Sequence, residues 1–336
     1  MHFQRELHSN RSLMLAQPYA PLLREWVISS TYWEMNLFVI PTLLCLLAAA
    51  VLVPSILFVI FSSAGIRQEI RFLLLGNALF SDLVYLIFYS LITVLNAANL
   101  KLPRPACELL LFLLALTYCA GLLTAAAMVL DTYLAVLWPL HYISVFTPSR
   151  AKKLILLLWL LSCFFPAMIL LVLCVTQKAE PCPVEVCSVP VILVMMLHGD
   201  DVTKFCYIIL VTAVLLCLTL ILCCYITLCF KTRDSGIWKG VSSRASVTFL
   251  MHHTILFFYF CPLLLLIVET LLYVNKIIGL RTGLWVTLTI CNVLVVLPKA
   301  LSPYLYGLRY REIANSLKLI FRLKRVSLVS PALALS

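Results

Sequence analysis

The chain has 336 residues, of which 63% are hydrophobic and only 12% are charged. Soluble domains carry charged residues at about a quarter of their positions, so this composition excludes an ordinary soluble protein. The formal charge of +11 would suit a nucleic-acid binder, but the basic residues are divided among short segments between apolar stretches, so nucleic acid is not expected as a partner.

The N-terminal segment, residues 1–34, begins with MHFQRELHSNRS, which has no apolar core, so we do not expect a cleaved signal peptide. It contains the sequon Asn10-Arg11-Ser12, so Asn10 is a candidate for glycosylation.

Seven apolar stretches follow, and each is long enough to cross a hydrocarbon core of roughly 30 Å as a helix. We predict them at residues 35–62, 72–96, 106–130, 154–175, 205–230, 245–272 and 283–308. Unpaired backbone is not tolerated in lipid, so the sequence predicts an all-α fold, a seven-transmembrane helix bundle over residues 35–308.

The basic residues predict the orientation of the bundle. Fifteen of the 25 Lys and Arg residues lie in four segments on one side of the predicted bundle. These segments are Arg67 and Arg71, Arg150 to Lys153, Lys231 to Arg244, and Arg309 to Arg325. By the positive-inside rule this side is cytoplasmic, so we predict a multi-pass protein of the plasma membrane with its N-terminus outside and its C-terminus inside. Residues 309–336 are predicted to form a short cytoplasmic amphipathic helix on the lipid surface, followed by a short tail.

Three cysteines fall on the predicted outer side, where disulfides are stable. Cys107 opens the third span, and Cys182 and Cys187 lie in the loop between spans four and five. A disulfide from this loop to the helix would pin the loop over the bundle. Cys187, which is nearer the fifth span, is the preferred partner of Cys107, and Cys182 is the alternative.

The third span ends in Asp131-Thr132-Tyr133, and Pro139-Leu140-His141-Tyr142 follows. Here the chain resembles the rhodopsin-like (class A) G-protein-coupled receptors, whose third helix ends in Asp-Arg-Tyr before Pro-Leu-x-Tyr. The resemblance extends over nearly the whole chain and is nearest to an orphan, odorant-receptor-like branch. Further segments resemble the family's patterns in the right order: Asn77 to Leu83, Trp159, Tyr225, Tyr259-Phe260-Cys261-Pro262 with Phe260 in place of Trp, and Ser302-Pro303-Tyr304-Leu305-Tyr306 with Ser302 in place of Asn.

The resemblance implies a receptor that binds an extracellular or lipid-soluble ligand and contacts a heterotrimeric G protein or arrestin on its cytoplasmic face. Its switch facing the G protein would comprise Asp131, Thr132, Tyr133, Tyr225 and Tyr306. Thr132 stands where the family has an arginine, and a threonine has neither the reach nor the five donors of a guanidinium. Either coupling is weak, altered or absent, or neighbouring side chains compensate.

Asp82 and Lys299 are formally charged residues deep in the second and seventh spans, where a lone charge is costly. Their predicted depths match within the length of a lysine. In the family, the corresponding aspartate helps to hold a sodium ion, and at other sodium-ligand positions this chain has Pro54, Gly121 and Ser302. We therefore predict an Asp82–Lys299 ion pair in place of the ion. The alternative is that Lys299 extends toward the cytoplasmic side and that Asp82 is protonated or hydrated.

The core switch implied by the resemblance includes this pair together with Phe260, Pro262, Ser302 and Pro303. The family's ligand cavity lies among the outer halves of helices three, five, six and seven. Leu114 stands where amine receptors carry an aspartate, so a cationic amine is not expected as ligand. The candidate lining residues, which could equally be helix-packing residues, are Leu114, Thr117, Tyr118, Tyr207, Tyr259, Glu269 and Asn292.

Other classes of polytopic protein remain as alternatives. A transporter or channel could use Asp82 and Lys299 in translocation, although the sequence shows no internal repeat. A receptor relative that does not signal could serve as a membrane interaction partner. No constellation of nucleophile and base, no metal-ligand spacing and no phosphate-binding loop is apparent, so we expect neither an enzyme nor a cofactor.

Overall fold

The computed structural model describes residues 32–98, 100, 102–137, 148–176, 187, 201–234, 243–275, 277–310 and 312–317. The sequon at Asn10, the alternative loop cysteine Cys182 and the tail after residue 317 lie outside the described residues.

The described residues are dominated by long helices in the order that the apolar stretches predict. The first six long helices are α1 (Tyr32–Ser62), α2 (Ile70–Ala97), α3 (Arg104–Leu137), α4 (Pro148–Thr176), α5 (Asp201–Asp234) and α6 (Ser243–Val274). A single turn at Ala64–Arg67 links α1 to α2. The seventh span consists of α7 (Leu280–Thr289), a π-helical segment (Ile290–Val296) and α8 (Leu297–Arg309).

Within the described part of the chain, six of these spans are long and apolar enough to cross a membrane, and α5 adds a shorter apolar run at Lys204–Ala213. Large apolar side chains such as Leu47, Phe58 and Leu160 are more than half exposed on the outside of the bundle. Such a surface suits contact with hydrocarbon and does not suit water. The predicted all-α membrane fold is therefore confirmed.

Helix α2 lies at the centre of the packing and contacts α1, α3, α4 and α8. The main apolar core is built largely on α1, α2, α3, α6 and α8, and its largest fully buried side chains include Phe72, Leu79, Leu256 and Tyr306. Neighbouring helices share this core because burial of their apolar faces excludes lipid and gains close packing.

A short helical segment at residues 312–317 follows α8. Ile313 and Leu317, which lie four positions apart on one face, are buried in the main core. Arg71 Nη2 lies 3.7 Å from Glu312 Oε2, and the Phe72 and Tyr310 rings pack edge to face at 5.2 Å. These contacts tie the segment to the beginning of α2.

Candidate functional site

A buried ion pair joins the second and seventh spans. Lys299 Nζ on α8 lies 2.6 Å from Asp82 Oδ1 on α2, and the two side chains are only 4% and 5% exposed. An isolated charge at this depth would be strongly destabilised, whereas the pair is neutral as a unit. The lysine side chain therefore points to Asp82 and does not extend toward the end of the bundle.

Two hydroxyl groups complete the surroundings of the carboxylate. Tyr259 Oη on α6 donates a hydrogen bond of 2.5 Å to Asp82 Oδ1. Ser302 Oγ lies 3.3 Å from Asp82 Oδ2 and 3.0 Å from the carbonyl oxygen of Lys299, so its single proton can serve either acceptor. Contacts from α6 and α8 thus converge on one side chain of α2.

Three tyrosine rings enclose the ammonium group of Lys299. Nζ lies 4.0 Å from the ring centroid of Tyr259, 4.9 Å from that of Tyr85 and 5.1 Å from that of Tyr118. The negative faces of aromatic rings attract a cation, and more strongly where water is excluded. The Tyr118 hydroxyl also donates to the backbone carbonyl of Tyr259, which fixes α3 to α6. We call Asp82, Lys299, Tyr85, Tyr118, Tyr259 and Ser302 the charged cluster.

A glycine on α3 makes room for the tyrosine that binds Asp82. A Cβ atom added to Gly121 would lie 2.8 Å from Tyr259 Oη, which is shorter than real Cβ contacts, and 3.1 Å from its ring, which is tighter than most. Of the three positions that the resemblance matched to sodium ligands, Ser302 contacts Asp82 and Gly121 accommodates Tyr259. Pro54 is exposed on α1 and takes no part in the charged cluster.

The predicted ligand-cavity residues divide between the charged cluster and its outer neighbourhood. Tyr118 and Tyr259 contact Lys299, while Leu114 packs in an apolar cluster with Cys107 and Cys187. Thr117 and Tyr207 are also buried.

Two further residues of that set form polar contacts near the π-helical segment. Asn292 Oδ1 lies 2.7 Å from Thr42 Oγ1 on α1, and its Nδ2 lies 3.4 Å from the Tyr89 hydroxyl on α2. Glu269 on α6 accepts a hydrogen bond of 2.7 Å from Thr287 on α7.

A disulfide closes the end of the bundle where α2 ends and α3 begins. Cys107 is bonded to Cys187, which confirms the predicted disulfide and the preferred partner. Asn96 at the end of α2 donates to the Cys187 carbonyl oxygen at 2.7 Å and accepts from its backbone N–H at 3.1 Å. We refer to this end as the disulfide end.

The residues of the predicted G-protein-facing switch lie toward the opposite end. Thr132, in the last turns of α3, donates from Oγ1 to the Met128 carbonyl oxygen at 2.9 Å, so its hydroxyl is bound to its own helix. Tyr306 is buried and stacks against Tyr310 with ring centroids 6.4 Å apart. Asp131 lies beside Thr132 on α3, and the side chains of Tyr133 and Tyr225 lie outside the described residues.

The remaining residues of the predicted core switch lie on α6 and α8 around the cluster. Phe260 and Pro262 are buried on α6, next to Tyr259, and Pro303 is buried on α8, next to Ser302. Prolines are tolerated within such helices because neighbouring elements satisfy the freed backbone groups.

Some residues of the site were not singled out from the sequence. Tyr85 lies three positions after Asp82, so helical spacing places both on one face, and this signal was available. The sequence marks Asn77 only as part of a motif. Its amide donates to Thr124 Oγ1 at 2.8 Å and accepts from Trp159 Nε1 at 2.9 Å, which links α2 to α3 and α4.

Seven apolar spans in this order, a disulfide from the start of the third helix to Cys187 between the fourth and fifth helices, and a polar core on the second, sixth and seventh helices define a seven-transmembrane receptor. The family profile described as 7 transmembrane receptor (rhodopsin family) matches residues 54–306, and the chain belongs to this family.

Curated relatives agree with this assignment. The chain is 30% identical over 314 residues to the human protein "Probable G-protein coupled receptor 148". The matched region covers 92% of this chain and 86% of the relative. It is 25% identical over 270 residues to "Olfactory receptor 1" of Rattus norvegicus and 24% identical over 271 residues to "Olfactory receptor 1E16" of Mus musculus, each covering 76% of this chain and 81% of the relative. The resemblance to an orphan, odorant-receptor-like branch is confirmed.

Proposed function

We propose that this chain is a receptor of the plasma membrane that binds a ligand other than a cationic amine and couples to G proteins weakly. The observation that carries the proposal is the charged cluster, because it links α2, α3, α6 and α8 between the disulfide end and the end that holds Thr132. A ligand that moves α6 or the seventh span must rearrange these contacts, so the cluster is suited to couple the two ends.

The orientation is part of the proposal. The positive-inside rule supports a cytoplasmic location for the Thr132 end and an extracellular location for the disulfide end. Residues 1–34 are then extracellular, residues 35–308 form the receptor domain, and residues 309–336 form a cytoplasmic amphipathic helix and tail. The docking of Ile313 and Leu317 against the bundle supports a helix that runs along the membrane surface.

The ligand preference rests on what Leu114 contacts. Leu114 is buried in the apolar cluster beneath the disulfide and provides no carboxylate that could pair with an ammonium group at that position. The buried tyrosines nearby offer aromatic faces and hydroxyls, which suit a largely apolar, uncharged ligand.

The Thr132 side chain supports the proposal of weak coupling. Its hydroxyl is bound to the Met128 carbonyl within α3, and a threonine is too short to reach a partner protein as a guanidinium would. Loss of one charge-assisted hydrogen bond typically forfeits about 1.5–3 kcal/mol, which corresponds to roughly a tenfold to hundredfold weaker complex.

The experiment compares the native chain with Thr132→Arg and with Thr132→Met, which adds length without charge. Surface-expressed receptors are assayed for nucleotide exchange on a panel of G proteins and for arrestin recruitment. We expect Thr132→Arg to raise basal exchange about tenfold and Thr132→Met to leave it unchanged. If Thr132→Arg changes neither readout while surface expression is intact, Thr132 does not limit coupling.

The alternative classes give different outcomes in a parallel assay. Substrate flux across liposomes containing the purified chain would indicate a transporter or channel. Absence of exchange, recruitment and flux in both the native chain and Thr132→Arg would indicate a membrane interaction partner that does not signal.

A further inference from the structure

A cleft on the membrane-facing side of the bundle lies between α1, α2 and α4, toward the end opposite the disulfide. Its volume is about 440 Å³. The cleft is lined mainly by apolar groups, including Leu57 and Phe61 of α1, Gly76 and Phe80 of α2, and Ile155 of α4. It is separate from the charged cluster, none of whose residues lines it.

Two basic side chains line the same cleft. Arg67 comes from the turn between α1 and α2, and Lys152 comes from the first turns of α4. Both residues are exposed. The nearby acid Glu69 binds Arg71 at 2.5 Å and does not line the cleft. An apolar slot with two cations at its end has the chemistry of a site for a lipid with an anionic headgroup.

The polar side chain of Asn77 in the cleft is already hydrogen-bonded within the protein. Its partners are Thr124 and Trp159. The Asn77 amide therefore has its hydrogen bonds within the bundle. The preference of the cleft for one kind of lipid over another then depends on the charges of Arg67 and Lys152. A sterol, with a single neutral hydroxyl, gains nothing from the two positive charges, whereas a phosphate group carries the opposite charge and is a strong acceptor for Arg and Lys donors.

We propose that this cleft binds one anionic phospholipid, with an acyl chain between α1, α2 and α4 and the headgroup phosphate between Arg67 and Lys152. Bilayer lipids supply both parts of such a ligand at the depth where the spans end. The bound lipid would join the α1–α2 turn to the beginning of α4. This proposal does not depend on whether the chain signals.

Native mass spectrometry of the full-length chain in detergent tests this proposal. The probes are phosphatidylserine, phosphatidylinositol 4,5-bisphosphate, phosphatidylcholine and cholesterol. We expect one tightly bound anionic lipid per chain, with phosphatidylcholine and cholesterol bound more weakly. Arg67→Gln and Lys152→Gln should each weaken anionic lipid binding about fivefold, while Lys153→Gln, at an adjacent exposed residue that does not line the cleft, should leave it unchanged.

A second pair of variants separates a cleft from a charged surface. Ile155→Trp fills the slot and retains both cations, so it should abolish tight binding, whereas Leu156→Trp at the exposed neighbouring position should not. Equal losses for Lys152→Gln and Lys153→Gln, retention of tight binding in Ile155→Trp, or tight binding of cholesterol that ignores both charges would each overturn the proposal.

Discussion

Lys299 and Asp82 are in direct contact across 217 positions of sequence, with 2.6 Å between Nζ and Oδ1. The contact unites helices α2 and α8 in a part of the bundle from which water and lipid headgroups are excluded. Removing two charges from water costs several kcal/mol per ion, and only good geometry with further hydrogen bonds offsets that cost. The phenol of Tyr259 and the three tyrosine faces provide these additional interactions.

The Lys299 ammonium occupies the place next to Asp82 that a bound cation would need. We therefore expect the thermal midpoint of the purified native chain to differ by less than about 2 °C between sodium chloride and choline chloride at equal ionic strength. Lys299→Ser removes the ammonium and leaves Asp82 free to bind an ion, so this variant should gain stability specifically from sodium. A sodium-dependent shift in the thermal midpoint of the native chain would contradict the hypothesis that the Lys299 ammonium takes the place of a bound sodium ion.

Gly121 is required for the position of Tyr259. Gly121→Ala places a methyl group where the Tyr259 hydroxyl and ring lie, so the hydrogen bond to Asp82 must be displaced. We expect a destabilisation of about 1–3 kcal/mol, measured by thermal unfolding of the purified receptor. The matched control is Gly65→Ala, because nothing lies within 4 Å of a Cβ atom at that position. Equal effects of the two substitutions would show that the Gly121 contact is unimportant.

How far the sequence predicts this structure depends on the feature. The number, order and approximate bounds of the spans follow from hydrophobic length, since lipid permits few alternatives to a helix. Lys299 and Asp82 could be paired from depth along their helices. Tyr85 could be placed beside Asp82 from its helical spacing. The contacts of Tyr118 and Tyr259 with Lys299 could not be predicted, because they depend on the rotation of α3 and α6 about their own axes.

The seventh span shows the same limit more locally. Its π-helical segment, Ile290–Val296, contains an extra residue in its turns and so changes which side chains face the bundle after it. Nothing in the periodicity of the apolar residues marked that change. The contacts of Asn292 with Thr42 and Tyr89 became visible only in three dimensions.

The disulfide makes a prediction that distinguishes the two loop cysteines. Cys107→Ser and Cys187→Ser should cause equal losses of thermal stability, because either one opens a loop that spans 80 positions. Chain-entropy reasoning gives about 4.5 kcal/mol for a loop of this length. Cys182→Ser should have no effect on stability. Peptide mapping of the non-reduced protein provides the chemical check, and a Cys107–Cys182 linkage would refute the pairing.

The central claim is that Asp82 and Lys299 stabilise the bundle as a pair, and a double-mutant cycle tests it most directly. Thermal midpoints of the native chain, Asp82→Asn, Lys299→Gln and the double variant are measured under one set of conditions. Each single substitution leaves one charge buried without its partner, so each should lower the midpoint by roughly 5–15 °C. The double variant should lower the midpoint by much less than the sum of the two single decreases. Additive losses would show that the two residues act independently and would contradict the claim.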